Sequence, residues 1–213
     1  MTDPNSSSHF ARDRPDSNSA LTASTTLLGR IRRHDSQAWQ RLMDIYGALV
    51  YQWCRRMGLS PEDSADVLQE TFLSVAKSIS SFQPNERGGG FRAWLATITR
   101  NKIVDLRRKR NQSQPAQGGS TMQQRLQQFP EPIIPDDEDT KARETSGILS
   151  RALGLMKTDF EETTWRAFWH VTMDHESAAE VAERLGISVN AVYKAKARVL
   201  HRLRCELGDL DTF

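Results

Sequence analysis

Cysteine is scarce in this chain, and long apolar segments are missing. The two cysteines, Cys54 and Cys205, lie far apart in a chain of 213 residues, which argues against a disulfide framework and favours a reducing compartment. No apolar run approaches the roughly 20 residues that a membrane-spanning helix requires. The polar N-terminus also lacks the apolar core of a signal peptide. These absences predict a cytoplasmic protein without membrane insertion.

Motifs for catalysis and for cofactor binding are also missing. The five histidines are scattered, and neither cysteine belongs to a Cys-x-x-Cys pair of the kind that binds zinc. The sequence contains no Gly-x-x-x-x-Gly-Lys phosphate loop and no nucleophile elbow. We therefore expect no catalytic residue, no metal site and no cofactor.

The periodicity of the apolar residues indicates helices throughout. Apolar side chains recur at spacings of three and four, and no strand pattern is present. The sequence therefore predicts an all-α fold of two small helical domains joined by a flexible linker. Ser, Asn, Asp and Pro dominate the N-terminus, whereas Gln, Pro, Gly and then acidic residues dominate the linker. The predicted divisions are a disordered tail over 1–24, a first domain over 25–110, an acidic linker over 111–140 and a second domain over 141–208.

Several helix starts have specific signals. Ser60 followed by Pro61 and two carboxylates provides a capping hydroxyl, a proline at the first helical position and charges that suit the helix dipole. Thr158 with Glu161, and Ser177 with Glu180, both match the capping-box pattern.

The most specific local pattern is a helix-turn-helix over residues 177–203. Such a motif needs a small residue where its two helices touch and a glycine at the turn, and Ala182 and Gly186 meet these needs. The first half of the second helix would enter the major groove of DNA. Its predicted DNA-reading residues are Ser188, Asn190, Tyr193, Lys194 and Arg198.

A second cationic helix is predicted over residues 91–110. It carries seven basic residues and one acidic residue, Asp105, a density that favours contact with a polyanion. Trp94 begins this helix beside a glycine-rich loop and has two interpretations. It is either a core residue or part of a pocket that stacks an unpaired base.

Three segments together resemble a known family. Residues 66–72 (DVLQETF), residues 91–95 (FRAWL) leading into 100–102 (RNK), and the helix-turn-helix at 177–203 resemble sigma-70-type factors of the extracytoplasmic-function class. The resemblance covers about residues 27–110 and 141–206, with the motifs in the family's order. It implies that the two domains are sigma domain 2 and sigma domain 4.

The resemblance implies partners and roles for individual residues. Asp66, Gln69 and Glu70 would dock on the β′ clamp of core RNA polymerase, whereas the periodicity alone makes them an ordinary solvated face. The C-terminal domain would read the −35 element of promoter DNA and touch the polymerase β flap. Residues that would recognise and melt the −10 element are Trp94, Arg100, Asn101, Lys102, Asp105 and Arg108. Control would come from an anti-sigma factor or another regulator.

Two other functions fit parts of the sequence. A helix-turn-helix regulator that acts without polymerase would explain residues 177–203 but leave the domain over 36–110 without a purpose. An adaptor that binds another protein through the 60–80 helix would not account for two basic helices. Transcription initiation with core polymerase is therefore the predicted function.

Overall fold

A computed structural model describes residues 26–83, 90–113 and 137–208. These residues form helices and turns without any strand, so the all-α prediction is confirmed. None of the helices in these ranges is long and apolar enough to cross a membrane. The predicted tail over 1–24 and most of the predicted linker lie outside the described residues. The helices are α1 (Leu27–Arg32), α2 (Ser36–Arg56), α3 (Pro61–Ser78), α4 (Phe91–Ser113), α5 (Glu138–Met156), α6 (Glu162–Thr172), α7 (Ala178–Leu185) and α8 (Val189–Leu207).

The first four helices pack around the buried face of α2. The side chain of Asp35 caps α2 by accepting hydrogen bonds from the backbone N–H groups of Gln37 and Ala38. A hydrogen bond from Arg30 is the main reason why the pKa of Asp35 lies below its usual value. Ser60 caps α3 as predicted, with its hydroxyl 3.1 Å from the backbone nitrogen of Asp63. Apolar residues at helical spacing then meet in one core whose largest buried members are Trp53, Tyr46, Phe91, Leu42, Ile45, Leu49, Leu95 and Ile103.

Helices α5 to α8 form the C-terminal half. Trp165 and Phe168 of α6 pack with Met156 of α5 and Val199 of α8. A short 3-10 turn over Lys157–Asp159 separates α5 from α6.

The predicted capping box of Thr158 and Glu161 is wrong. The 3-10 turn includes Thr158, and α6 begins only at Glu162, with Glu161 as an N-cap that makes no side-chain capping bond. Phe160, which lies between the 3-10 turn and Glu161, is extended and stacks on Trp165 with ring centroids 6.3 Å apart. This aromatic contact accompanies a helix start later than the Thr-x-x-Glu pattern indicates.

The two halves touch each other in this structure. Ile148 and Ala152 of α5 and Leu207 of α8 belong to the same apolar cluster as the buried residues of α1 to α4. Helix α5 packs on α2, and the C-terminal helix α8 also contacts α1. Helix α4 continues to Ser113 and α5 begins at Glu138, so the segment between them is shorter at both ends than the predicted linker.

Candidate nucleic-acid interface

The helix-turn-helix forms as its sequence predicts. Ser177 and Glu180 make a complete capping box at the start of α7, and a hydrogen bond from the Ser177 hydroxyl is the main cause of the lowered pKa of Glu180. Gly186 ends α7 in the left-handed region at φ 65° and ψ 32°, which suits glycine because a Cβ is unfavourable there. Ala182 is buried, and its carbonyl accepts the backbone N–H of Ile187 at 3.0 Å. The turn therefore fixes the angle at which α8 leaves α7.

Helix α8 presents a polar and cationic face near its N-terminus. Asn190, Tyr193, Lys194 and Arg198 are all exposed, and Tyr193 retains 57% of its surface. The buried Val192 and Ala195 on the other side of the helix hold this face outward. Ser188 accepts the backbone N–H of Ala191 at 3.2 Å and so caps the helix. The structure thus brings the predicted −35 residues together on one accessible surface.

The basic residues of α4 divide into two groups. Arg92 is buried and pairs with Glu144, whose Oε2 lies 2.7 Å from its Nε. Arg107 donates to the carbonyl oxygen of Met57 at 2.8 Å, and Arg110 pairs with the buried Asp63. Arg107 and Arg110 therefore contribute to holding the N-terminal half together, whereas Arg92 joins it to the C-terminal half.

The candidate −10 residues lie on the other side of the same helix. Asn101, Asp105 and Arg108 are exposed, and Arg100 is half-buried. The ammonium of Lys102 lies 3.5 Å from a carboxylate oxygen of Glu70 on α3. The predicted DNA surface and the predicted polymerase surface are therefore neighbours.

Trp94 lies in an aromatic cluster at the start of α4. Its ring centroid is 4.8 Å from that of Phe82 and 5.5 Å from that of Phe91, which is itself buried. Trp94 is only half-buried, so it packs on the core and remains partly accessible. This position fits both interpretations of Trp94. Residues 84–89 of the adjoining loop lie outside the described residues.

The candidate polymerase contacts form an exposed face of α3. Asp66, Gln69 and Glu70 are exposed, whereas Val67 and Thr71 of the same helix are buried. The amphipathic pattern of α3 therefore turns these polar side chains outward.

The structure also shows a groove between α5 and α6 that the sequence analysis did not predict. It encloses a cavity of about 540 Å³, lined among others by Leu153, Trp165, Trp169 and Met173. Trp169 is 39% exposed. The only signal in the sequence is the spacing of four between the two tryptophans, which places them on one side of a helix.

One group of side chains near this groove has the elements of a metal site. The Nδ1 atom of His170 lies 2.8 Å from an oxygen of Asp174 and 3.3 Å from an oxygen of Glu176. Arg184 pairs with the other oxygen of Glu176. Hydrogen bonds and ion pairs within the protein therefore account for these three groups.

Comparisons with known proteins show which sequences this chain is similar to. The family described as Sigma-70 region 2 matches residues 42–113. The ECF RNA polymerase sigma factor SigW of Bacillus subtilis is 26% identical over 187 residues, which cover 85% of this chain and 95% of that protein. The RNA polymerase sigma factor CarQ of Myxococcus xanthus is 29% identical and covers 85% of this chain and 96% of its own length.

More limited similarities were also found. The ECF RNA polymerase sigma factor SigE of Mycolicibacterium smegmatis is 34% identical over 73 residues, which cover 34% of this chain and 27% of that protein. A solved structure of the RsbN-BldN complex is 21% identical with a TM-score of 0.34, over 83% of this chain and 97% of that chain.

Two cationic helical surfaces, one of them on a helix-turn-helix, define a DNA-binding protein. Among DNA-binding proteins, the match to Sigma-70 region 2 and the relatives that align over most of both chains indicate similarity to RNA polymerase sigma factors. The chain is therefore similar to sigma factors of the extracytoplasmic-function class of the sigma-70 family.

Proposed function

We propose that this protein is an alternative sigma factor that binds core RNA polymerase and directs it to specific promoters. The observation that carries the proposal is the pair of outward-facing polar surfaces on α4 and α8, which lie in two different halves of the chain. A factor that positions polymerase needs two DNA contacts, because each contact alone is weak and their connection raises the effective concentration of the second.

The C-terminal half is the proposed reader of the −35 element. Asn190, Lys194 and Arg198 have the side chains that recognise base edges in the major groove, where a bidentate contact discriminates by about 1–3 kcal/mol. Tyr193 is exposed beside them and can contact a base or the sugar-phosphate backbone. The hydroxyl of Ser188 can still donate to a phosphate, since its hydrogen bond with Ala191 uses only an acceptor position.

The N-terminal half is the proposed site of −10 recognition and melting. Asn101, Asp105 and Arg108 face solvent on α4, and Arg100 and Lys102 flank them. Trp94 supplies a partly accessible aromatic ring on which an extruded base can stack, and such contacts offset an unstacking cost of a few kcal/mol.

The proposed polymerase contacts also lie in both halves. Asp66, Gln69 and Glu70 on α3 form the contact with the β′ clamp, and the C-terminal half contacts the β flap. Binding to core polymerase then holds the domains over 25–110 and 141–208 at the spacing of the two promoter elements. An anti-sigma factor or another regulator controls the free protein. We propose that the protein has no catalytic activity of its own and works in the cytoplasm, where the polymerase is.

Run-off transcription with purified core polymerase tests this proposal directly. The full chain added to core enzyme should start RNA at defined sites, and core enzyme alone should not. Promoter duplex should bind weakly to the chain alone and much more tightly in the presence of core enzyme. A chain that binds the same duplex equally well without polymerase would instead be a polymerase-independent regulator.

A further inference from the structure

A buried carboxylate joins the two halves of the protein. Glu144 of α5 retains 2% of its side-chain surface. One of its oxygens accepts the indole N–H of Trp53 at 2.8 Å and lies 3.0 Å from a guanidinium nitrogen of Arg56. Its other oxygen lies 2.7 Å from Nε and 2.6 Å from a terminal nitrogen of Arg92. All three of these partners belong to the N-terminal half.

A second set of ion pairs crosses the same boundary. Glu206 near the end of α8 retains 1% of its side-chain surface, and its Oε1 lies 3.3 Å from Nε of Arg41 on α2. Arg41 also pairs with Asp159 at 3.0 Å. Arg202 contacts both Asp159 and Glu206 from within the C-terminal half. Acidic groups of the C-terminal half thus meet arginines of the N-terminal half at two places.

We propose that these contacts, together with the apolar contacts beside them, form an interdomain latch that keeps the free protein closed and inhibited. The latch comprises Glu144 with Trp53, Arg56 and Arg92, and Glu206 with Arg41. The inhibitory part of this inference rests on the proposed function, because it concerns simultaneous contact with two promoter elements.

The closed arrangement is too short to reach both elements. A helical domain of this size is about 30 Å across, so two domains in contact span at most about 60 Å. The −10 and −35 promoter elements are centred about 25 base pairs apart, a separation of about 85 Å in B-form DNA. The halves must therefore separate before both elements are bound. Residues 114–137 can span about 80 Å when extended, which permits that separation.

The chemistry of the latch makes the loss of one partner costly in the closed state, whereas separation of the two halves is reversible. In the closed state a buried carboxylate that lost its arginines would be strongly destabilising. In the open state Glu144 and its arginines all return to water, which recovers much of the same free energy. A partner with higher affinity for the open state, as core polymerase has under this proposal, shifts the equilibrium towards that state.

Substitutions that neutralise the latch should open the free protein. Glu144→Gln keeps the shape and the acceptor for Trp53 but removes the charge that Arg56 and Arg92 face. Its control is Glu138→Gln, the same change on the same helix at a side chain that is 91% exposed. Small-angle scattering should show a larger radius of gyration for Glu144→Gln than for the wild type and the control. Circular dichroism should show the same helical content in all three proteins.

A milder substitution covers the case in which Glu144→Gln does not fold. Arg56 is 45% exposed and contacts Glu144 from the surface, so Arg56→Gln should open the protein without disturbing a core. Its control is Arg55→Gln, because among the described residues Arg55 donates within its own half, to the carbonyl oxygen of Leu59. Equal radii of gyration for the wild type, Glu144→Gln and Arg56→Gln would contradict the proposed latch.

The inhibitory role has its own measurement. The apparent affinity for core polymerase is proportional to the fraction of protein that is open, so a mostly closed protein binds weakly. Glu144→Gln should therefore half-saturate core enzyme at about a tenfold lower concentration than the wild type or Glu138→Gln. An open variant with unchanged affinity for core enzyme would overturn the inhibitory role. If the variant opens but no form of the protein starts RNA at a defined site, the proposed function fails with that role, whereas the closed interface stands.

Discussion

Replacing Gly186 by alanine isolates the conformational cost of the turn in the helix-turn-helix. A Cβ at this position would meet no atom within 4 Å, so the substitution creates no clash. The φ of 65° remains, and a left-handed conformation costs a residue with a Cβ about 1–2 kcal/mol. We expect Gly186→Ala to lower the free energy of unfolding by about that amount.

Gly154→Ala is a control for which the free energy of unfolding should change in the opposite direction. Gly154 lies inside α5, is exposed, and would also place its Cβ in open space. Alanine is favoured over glycine in a helix by about 0.8–1.0 kcal/mol, so this variant should be more stable than the wild type. The two variants carry the same chemical change, and their free energies of unfolding should therefore differ by about 2–3 kcal/mol.

Thermal unfolding followed by circular dichroism measures this difference. For a chain of this size each kcal/mol shifts the midpoint by about 2–4 °C, so the midpoints should differ by about 4–12 °C. Asparagine tolerates the left-handed region better than alanine, so the unfolding midpoint of Gly186→Asn should lie between those of Gly186→Ala and the wild type. If Gly186→Ala unfolds at or above the midpoint of Gly154→Ala, the turn is not held in the conformation described here.

Three further predictions concern the surfaces and the thiols. Lys194→Ala should reduce discrimination between −35 variants by about 1–3 kcal/mol per lost base contact, as measured by run-off transcription, and equal use of every variant would remove Lys194 from the reading surface. Asp66→Arg with Glu70→Arg should impair retention on immobilised core polymerase at unchanged helical content, and normal co-purification would exclude the proposed docking face. Burial raises the pKa of the Cys54 thiol to about 11, so a thiol reagent at pH 8 should modify Cys205 in the native protein and Cys54 only after denaturation. Rapid native modification of both thiols would contradict the packing around Cys54.

Features encoded by a few neighbouring residues could be predicted from the sequence. The turn at Gly186, the buried contact at Ala182 and the caps at Ser60 and Ser177 each depend on residues within a few positions. The failure at Thr158 shows the limit of such patterns, because the start of α6 coincides with a stacking contact between Phe160 and other residues of the C-terminal half.

Contacts between distant segments could not be predicted in the same way. Trp53 and Glu144 are 91 positions apart, and no local pattern marks either of them as a partner of the other. The basic run of α4 likewise gave no sign of which arginines make contacts within the protein, since that depends on Met57 and Asp63 of other segments. The polar faces of α3 and α8 were predicted because periodicity alone determines which side of a helix is exposed.

The contacts of Arg107 and Arg110 within the N-terminal half change how strongly DNA binding by this protein should respond to ionic strength. The segment 91–110 has seven cations, but Arg107 and Arg110 are paired within the N-terminal half, so no more than five remain to displace counterions from DNA. Each neutralised phosphate of a duplex contributes about −0.9 to the slope of log affinity against log salt concentration. The contribution of this helix therefore has a slope no steeper than about −4.5, where its composition alone would allow about −6. A rise in salt concentration should consequently weaken binding through α4 by a smaller factor than it would for a helix with all seven charges available to DNA.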